Sequence, residues 1–213
     1  MHGLTIAFVA SLLLGMRHAT DADHVVAVST IVNGERTIWR SSRIGVMWGL
    51  GHTLTIFVVG GAIVLFKFAF TPRLGLSMEF CVALMLMILG YLNLSSSGSV
   101  VESPTQLRPF LVGAVHGMAG SAAATLLVLP LIDDTRWAVL YLAVFGLGTV
   151  VGMALVTLAI AAPAIYVGVR LAGLQRGLRL ASGVVSLAFG AYLGYKVGFV
   201  DGLFTREPYW TSL

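Results

Sequence analysis

The sequence predicts an all-α integral membrane protein whose six transmembrane helices form two inverted three-helix repeats. Three observations lead there: an apolar composition, six hydrophobic stretches of spanning length, and a G-x-x-H motif recurring about 100 residues apart. With 58% apolar and 10% charged residues and a mean hydropathy of +0.94, the chain is built to sit mostly in lipid. The net charge of +4 is small and scattered. Without basic clusters interleaved with aromatics it excludes nucleic acid as a partner. The lone Cys81 lies in a hydrophobic run, which rules out a disulfide framework or a thiolate metal centre.

A bilayer crossing takes about 20 apolar residues, and such stretches lie near 3–32, 43–66, 77–95, 108–132, 137–162 and 178–200. The first is a permanent span rather than a signal peptide. It has no basic n-region, charges interrupt its apolar run, and no clean small-residue cleavage site follows. Pro163 interrupts the fifth run, which resumes through Val169 before Arg170, Arg176 and Arg179 mark the expected end of that helix. Arg36, Arg40, Arg43, Arg108, Arg170, Arg176 and Arg179 fall in the first, third and fifth connections. Lys67, Arg73, Arg136, Lys196 and Arg206 lie on the other side. Because cytoplasmic loops retain positive charge, both termini are expected outside.

The two halves match three times in order: Gly15-Met16-Arg17-His18 with Gly113-Ala114-Val115-His116, Gly49-Leu50-Gly51 with Gly146-Leu147-Gly148, and Gly90-Tyr91-Leu92 with the Gly190 to Leu193 stretch. A unit with an odd number of crossings enters the membrane upside down in its second copy, and substrate sites then tend to form near the midplane. The expected organisation is a first repeat over 1–94, a linker over 95–107 that holds Ser95 to Ser99 and Pro104, a second repeat over 108–200, and a tail over 201–213.

The first stretch carries Arg17-His18-Ala19-Thr20-Asp21-Ala22-Asp23-His24 at membrane depth. One charge there costs at least about 2.5 to 3.5 kcal/mol on insertion scales, so the cluster must be satisfied internally or by something that passes through. Imidazole with carboxylate suits borderline divalent transition metals better than magnesium or calcium. On a continuous helix His18, Asp21 and His24 form an i, i+3, i+6 stripe, Asp23 points away from His18, and about 9 Å of rise separates the two histidines. Joint ligation of one ion therefore calls for a local break near Ala19 to Asp21, with Thr20 or Asp21 capping the restarted helix. Arg17, one turn before Asp21, is a candidate to neutralise it. The structural alternative is a buried polar network that only fixes helix packing.

His52, in Gly49-Leu50-Gly51-His52-Thr53, is a candidate ligand, or else a partner that orients one. His116, followed by Gly117, Gly120 and the small run Ser121 to Thr125, is a candidate transient site or gate. The small residues after it read as a helix seam. His2, with the N-terminal amine and its own peptide nitrogen, could chelate Ni²⁺ or Cu²⁺ in a square plane as a capture site; a surface histidine without a role is the alternative. Asp133 and Asp134 are expected to be solvated.

The run from Arg17 to His24, with its H-x4-D-H core, resembles the signature of the nickel/cobalt transporter (NiCoT) family. Leu50-Gly51-His52-Thr53 is similar to that family's L-G-H-[ST] motif. His116-Gly117-Met118-Ala119-Gly120-Ser121-Ala122 is similar to the H-G-L-A-G-S-A stretch of its short, urease-accessory-type nickel permeases. The resemblance implies uptake of Ni²⁺, Co²⁺ or both across a prokaryotic cytoplasmic membrane. It places His18, Asp23, His24 and His52 in recognition or passage, with Asp21 beside them. It also implies cytoplasmic nickel chaperones or urease-type accessory proteins as partners. The phenylalanine-, aspartate- and threonine-rich motif of larger members is absent.

The expected activity is that of a secondary permease, not an enzyme, with the ion as transported substrate and no cofactor. No phosphate-binding loop is present for ATP. An intramembrane metalloenzyme would need a base among the histidines, yet Glu35, Glu79, Glu102 and Glu207 lie in loops or near a helix end and no H-E-x-x-H occurs. A proton-coupled organic-anion exporter would favour arginine over clustered aspartates.

Overall fold

The computed structural model describes residues 2–35, 37–66, 71–95, 107–118, 132, 134–170, 172–205 and 208–209, with backbone alone for 2–5, 63–66, 167–170 and 172–174. Within these residues the chain is all-helical. It comprises α1 (His2–His18), α2 (Ala22–Ile31), α3 (Ile38–Phe66), α4 (Pro72–Ser95), α5 (Leu107–His116), α6 (Thr135–Arg170) and α7 (Ala172–Tyr195), closed by a π-helical turn at Lys196–Val200.

Four helical stretches are long and apolar enough to cross a membrane: Ile38–Ala62, Pro72–Ser95, Thr135–Tyr166 and Gln175–Val200. Among the described residues the other two of the six expected spans are not single long helices. The stretch 3–32 is divided between α1 and α2, and of 108–132 only the α5 portion and residues 117–118 and 132 are described. Beyond the 137–162 stretch α6 continues through Pro163 and ends at Arg170, where the resumed apolar run and its arginines put the end of the fifth helix. A missing N–H inside a long apolar helix costs one backbone bond, which a membrane helix tolerates better than an exposed end in lipid.

Apolar side chains cover the outer face, while the interior holds polar groups beside an apolar core that includes Trp48, Leu76, Leu86, Phe145 and Met153. Leu50, Leu54 and Val58 on α3, Leu84, Ile88 and Leu92 on α4, and Leu147, Val151 and Leu155 on α6 make exposed stripes at four-residue spacing, the pattern of a lipid face. The buried positions hold Ser11, His18, His24, Thr30, Ser41, His52, Glu79, His116, Thr149, Thr157 and Ser186. Several of the hydroxyls tie helices together: Ser11 Oγ donates to the Tyr141 carbonyl at 3.0 Å, Thr55 Oγ1 to Ala114 at 2.8 Å, and Ser186 Oγ to Leu86 at 2.8 Å. Polar atoms turned inward with partners, and leucines turned outward, are what a lipid solvent selects.

Close backbone approaches set the helix pairs. α1 packs on α6, where Gly15 abuts the Phe145 carbonyl and Gly148 abuts that of Leu12. α3 packs on α5, where Gly113 abuts the Trp48 carbonyl and Gly51 abuts that of Phe110. α4 packs on α7, with Gly90 against Gly183 and Leu187, and Gly190 against Ala83 and Met87. A side chain at any of these glycines would intrude on a neighbouring backbone, so small residues here permit the contact that lipid alone would not drive. The first two pairs fix α1 and α5, whose last residues are His18 and His116.

Candidate metal centre

The chain breaks where the polar cluster begins. After α1 ends, Thr20 N–H bonds the Arg17 carbonyl at 2.8 Å and Asp21 N–H bonds that of His18 at 3.1 Å, tightening the last turn. Thr20 Oγ1 donates to the Arg17 carbonyl at 2.6 Å. Asp21 then turns extended, with φ −60° and ψ 149°, and α2 starts at Ala22. Asp21 is the N-cap residue, yet its side chain does not cap. Its Oδ2 accepts instead from His18 Nδ1 at 2.9 Å. Asp23 serves the new helix start: its Oδ1 accepts both the backbone N–H and the ring Nδ1 of His24, each at 3.0 Å. A carboxylate in the first turn also meets the positive end of the helix dipole.

The break removes the axial separation of the two histidines. The rings of His18 and His24 stand 4.6 Å apart between centroids, and His52 from α3 completes a cluster at 5.0 Å from each. His116, the last residue of α5, lies 4.2 Å from the His24 ring. His18 Nε2 faces His52 Nε2 at 2.9 Å, and His116 Nε2 meets Asp23 Oδ2 at 2.8 Å. Four of the chain's five histidines thus converge, all of them buried. Two donor triads result, His18–His24–His52 and Asp23–His24–His116, each with ligand atoms within 4.8 Å of one another.

Apolar walls surround them. Phe145 stacks 5.8 Å from His18, while Trp48 lies 5.6 Å from His24 and 5.8 Å from His116. Among the described residues His24 Nε2, His52 Nδ1, His116 Nδ1 and Trp48 Nε1 are buried with no hydrogen-bond partner. Each such group costs about 1 to 3 kcal/mol, so several in one pocket mark a place where polar atoms have a task other than packing. Both α1 and α5 also end at this point, and the negative ends of their dipoles favour a cation.

The sequence reading maps onto this geometry as follows. His18, Asp21, Asp23, His24 and His52 are brought together, and Asp23 does turn away from His18 toward His24 and His116. His116, the candidate transient site or gate, joins the cluster through Asp23 and the His24 ring. Asp21 pairs with His18, not with Arg17, which forms no ion pair among the described residues. The His2 side chain and Asp133 lie outside the described residues; Asp134 is exposed and its Oδ1 accepts the Arg136 N–H at the start of α6. The aromatic walls Trp48 and Phe145 went unnoticed in the sequence. Their signal was available, since each lies within three residues before a glycine of the matched G-L-G pairs.

No protein-family model matches the chain, and no solved structure does. The chain is similar to "Urease accessory protein UreH" of Bacillus sp. (strain TB-90), with 34% identity and 94% of each chain covered. At that identity over nearly the full length of both, the protein belongs to the UreH family of urease accessory proteins.

Proposed function

We propose that the protein is a secondary permease that imports Ni²⁺ and/or Co²⁺ through the site built from His18, Asp21, Asp23, His24 and His52, with His116 alongside. The observation that carries this reading is the cluster of four buried imidazoles and two carboxylates inside an apolar helical bundle. Such a donor set is costly in lipid unless a cation compensates it, and its nitrogen content favours nickel and cobalt over magnesium or calcium. The relative is named a urease accessory protein, a setting that fits nickel delivery in a prokaryotic inner membrane. Cytoplasmic nickel chaperones or urease-type accessory proteins are then the partners on the inner side.

The inverted repeat belongs to the same reading. Adding 98 to Leu12 and Gly15 gives Phe110 and Gly113, and adding 97 to Trp48 and Gly51 gives Phe145 and Gly148. Under that mapping the Gly15–Phe145 approach becomes Gly113–Trp48, and Gly148–Leu12 becomes Gly51–Phe110. Adding 100 to Ala83, Met87 and Gly90 gives Gly183, Leu187 and Gly190, whose mutual approaches exchange in the same way. These correspondences support six crossings, with α1 and α2 making the first and α5 opening the fourth. They also support two half-helices that bring their C-terminal ends to the site from opposite sides, with both chain termini on one side, which the arginine count reads as the outside. Rocking of the repeats about that site alternates its exposure.

No ATP is needed: a divalent ion moving inward through 100 mV gains about 4.6 kcal/mol, twice the roughly 2.3 kcal/mol per charge, enough for about a thousandfold accumulation. In proteoliposomes the intact chain is expected to take up ⁶³Ni²⁺ at a rate that rises with an inside-negative potential, and His18→Ala is expected to abolish it. Potential-independent leakage at equal rates in both would refute the permease reading.

A further inference from the structure

His24 belongs to both donor triads, but one imidazole directs its two nitrogens to opposite edges of the ring and cannot give both to the same ion. The two triads are therefore alternative positions for a metal. Choosing between them determines what the two aspartates do.

The hydrogen bonds decide. An ionised carboxylate only accepts, so His18 Nδ1 carries the proton shared with Asp21 and His24 Nδ1 carries the proton shared with Asp23. In neutral imidazoles this leaves the lone pairs on the two Nε2 atoms. His18 Nε2 already faces His52 Nε2 at 2.9 Å, and His24 Nε2 is buried without a partner among the described residues. Two nitrogens bound at right angles to one ion at about 2.1 Å lie about 3.0 Å apart, so the His18–His52 spacing is already that of two donors on one ion. His52 can take the required tautomer because its Nδ1 has no competing partner among the described residues. An ion at the His18–His24–His52 triad displaces one neutral contact, the His18–His52 hydrogen bond, whereas at the second triad it would have to displace two contacts of the Asp23 carboxylate, to His24 Nδ1 at 3.0 Å and to His116 Nε2 at 2.8 Å.

We propose, resting on the metal reading above, that the ion is held by Nε2 of His18, His24 and His52, and that Asp21 and Asp23 position these rings instead of binding the ion. Each carboxylate sits behind a ligand ring, which orients the imidazole and strengthens it as a donor. Together their two negative charges match the charge of the divalent guest without occupying its coordination sphere. His116 is then a positioning residue too, holding the far oxygen of Asp23. The remaining coordination positions fall to water or to an exit ligand. The substrate class narrows to borderline divalent ions that accept three imidazoles, so Zn²⁺ is expected to compete with Ni²⁺ and Mg²⁺ is not.

The test uses the full-length protein in nanodiscs, labelled with ¹⁵N-histidine and loaded with Zn²⁺ as a diamagnetic probe. The ¹⁵N spectrum is expected to show His24 bound to metal through Nε2 with a proton on Nδ1, and no metal-bound nitrogen on His116. X-ray absorption of the Ni²⁺-loaded protein is expected to show three imidazoles. That number is kept in Asp23→Asn and His116→Gln, with Ni²⁺ affinity in Asp23→Asn weakened about 10- to 100-fold, and it falls to two in His52→Gln. Metal on His24 Nδ1, or loss of an imidazole in His116→Gln, would overturn the proposal in favour of the Asp23–His24–His116 triad. Because these readouts need no flux, a protein that binds as described but fails to transport would refute the permease reading alone, and a transporting protein with metal on Nδ1 would refute this assignment alone.

Discussion

Asp23→Asn is expected to lower Ni²⁺ uptake in proteoliposomes about 10- to 100-fold, whereas Asp21→Asn lowers it less than tenfold, although the two carboxylates are two residues apart. The difference follows from what each one holds. Asp23, with its side chain 16% exposed, accepts from the His24 backbone N–H, from His24 Nδ1 and from His116 Nε2. One residue thus anchors the start of α2, a donor ring and the end of α5. Among the described residues the Asp21 side chain serves His18 Nδ1 alone, and it is 40% exposed, so water can take over part of its role. Asparagine keeps one acceptor oxygen at position 23 but turns its other terminal atom into a donor facing an N–H, and it removes a charge where the dielectric is low. Asp23→Ala is more severe still, because three buried donors then lose their acceptor at about 1 to 3 kcal/mol each. Equal uptake in Asp21→Asn and Asp23→Asn, measured as initial rates at matched protein density, would show that the number of contacts does not govern the site.

The residues of this site were legible in sequence because their chemistry is out of place. Imidazoles and carboxylates inside an apolar run have few roles open to them, and the span of His18 to His24 along a straight helix required the break that appears at Ala19 to Asp21. Roles were harder to read. Ligand spacing treats Asp21, Asp23 and the histidines as equals, whereas hydrogen bonds rank them, and only folded positions reveal that Asp23 reaches His116, 93 residues away. Continuity was legible only through that polar cluster: a hydropathy window by itself cannot tell one long helix from two short ones sharing a turn, as α1 and α2 do. Pro163 interrupts the apolar run without ending α6, because lipid leaves the backbone no better alternative. The glycine matches between halves carried more than their composition suggested, because each falls at a helix crossing.

Gly51→Val is expected to abolish uptake and to lower the melting temperature of the purified protein, while Gly61→Ala on the same helix leaves both at or slightly above the parent values. A Cβ at Gly51 would run into the Phe110 carbonyl and approach the Ala114 backbone nitrogen at 3.0 Å, whereas at Gly61 it would meet nothing within 4 Å. Backbone cannot swing aside as a side-chain end can, so α5 must move as a body. Overpacking of this kind costs about 1 to 3 kcal/mol, and the penalty for function is larger. Displacing α5 carries His116 away from Asp23, and shifting α3 moves His52 out of reach of His18 Nε2, so one added side chain disturbs both sides of the cluster. At Gly61 the substitution only exchanges a poor helix former for a better one, worth up to about 1 kcal/mol. Thermal unfolding in detergent, read beside ⁶³Ni²⁺ flux, checks both halves of the comparison. A Gly51→Val protein that transports at the parent rate would mean that the α3–α5 contact does not set the position of the imidazoles.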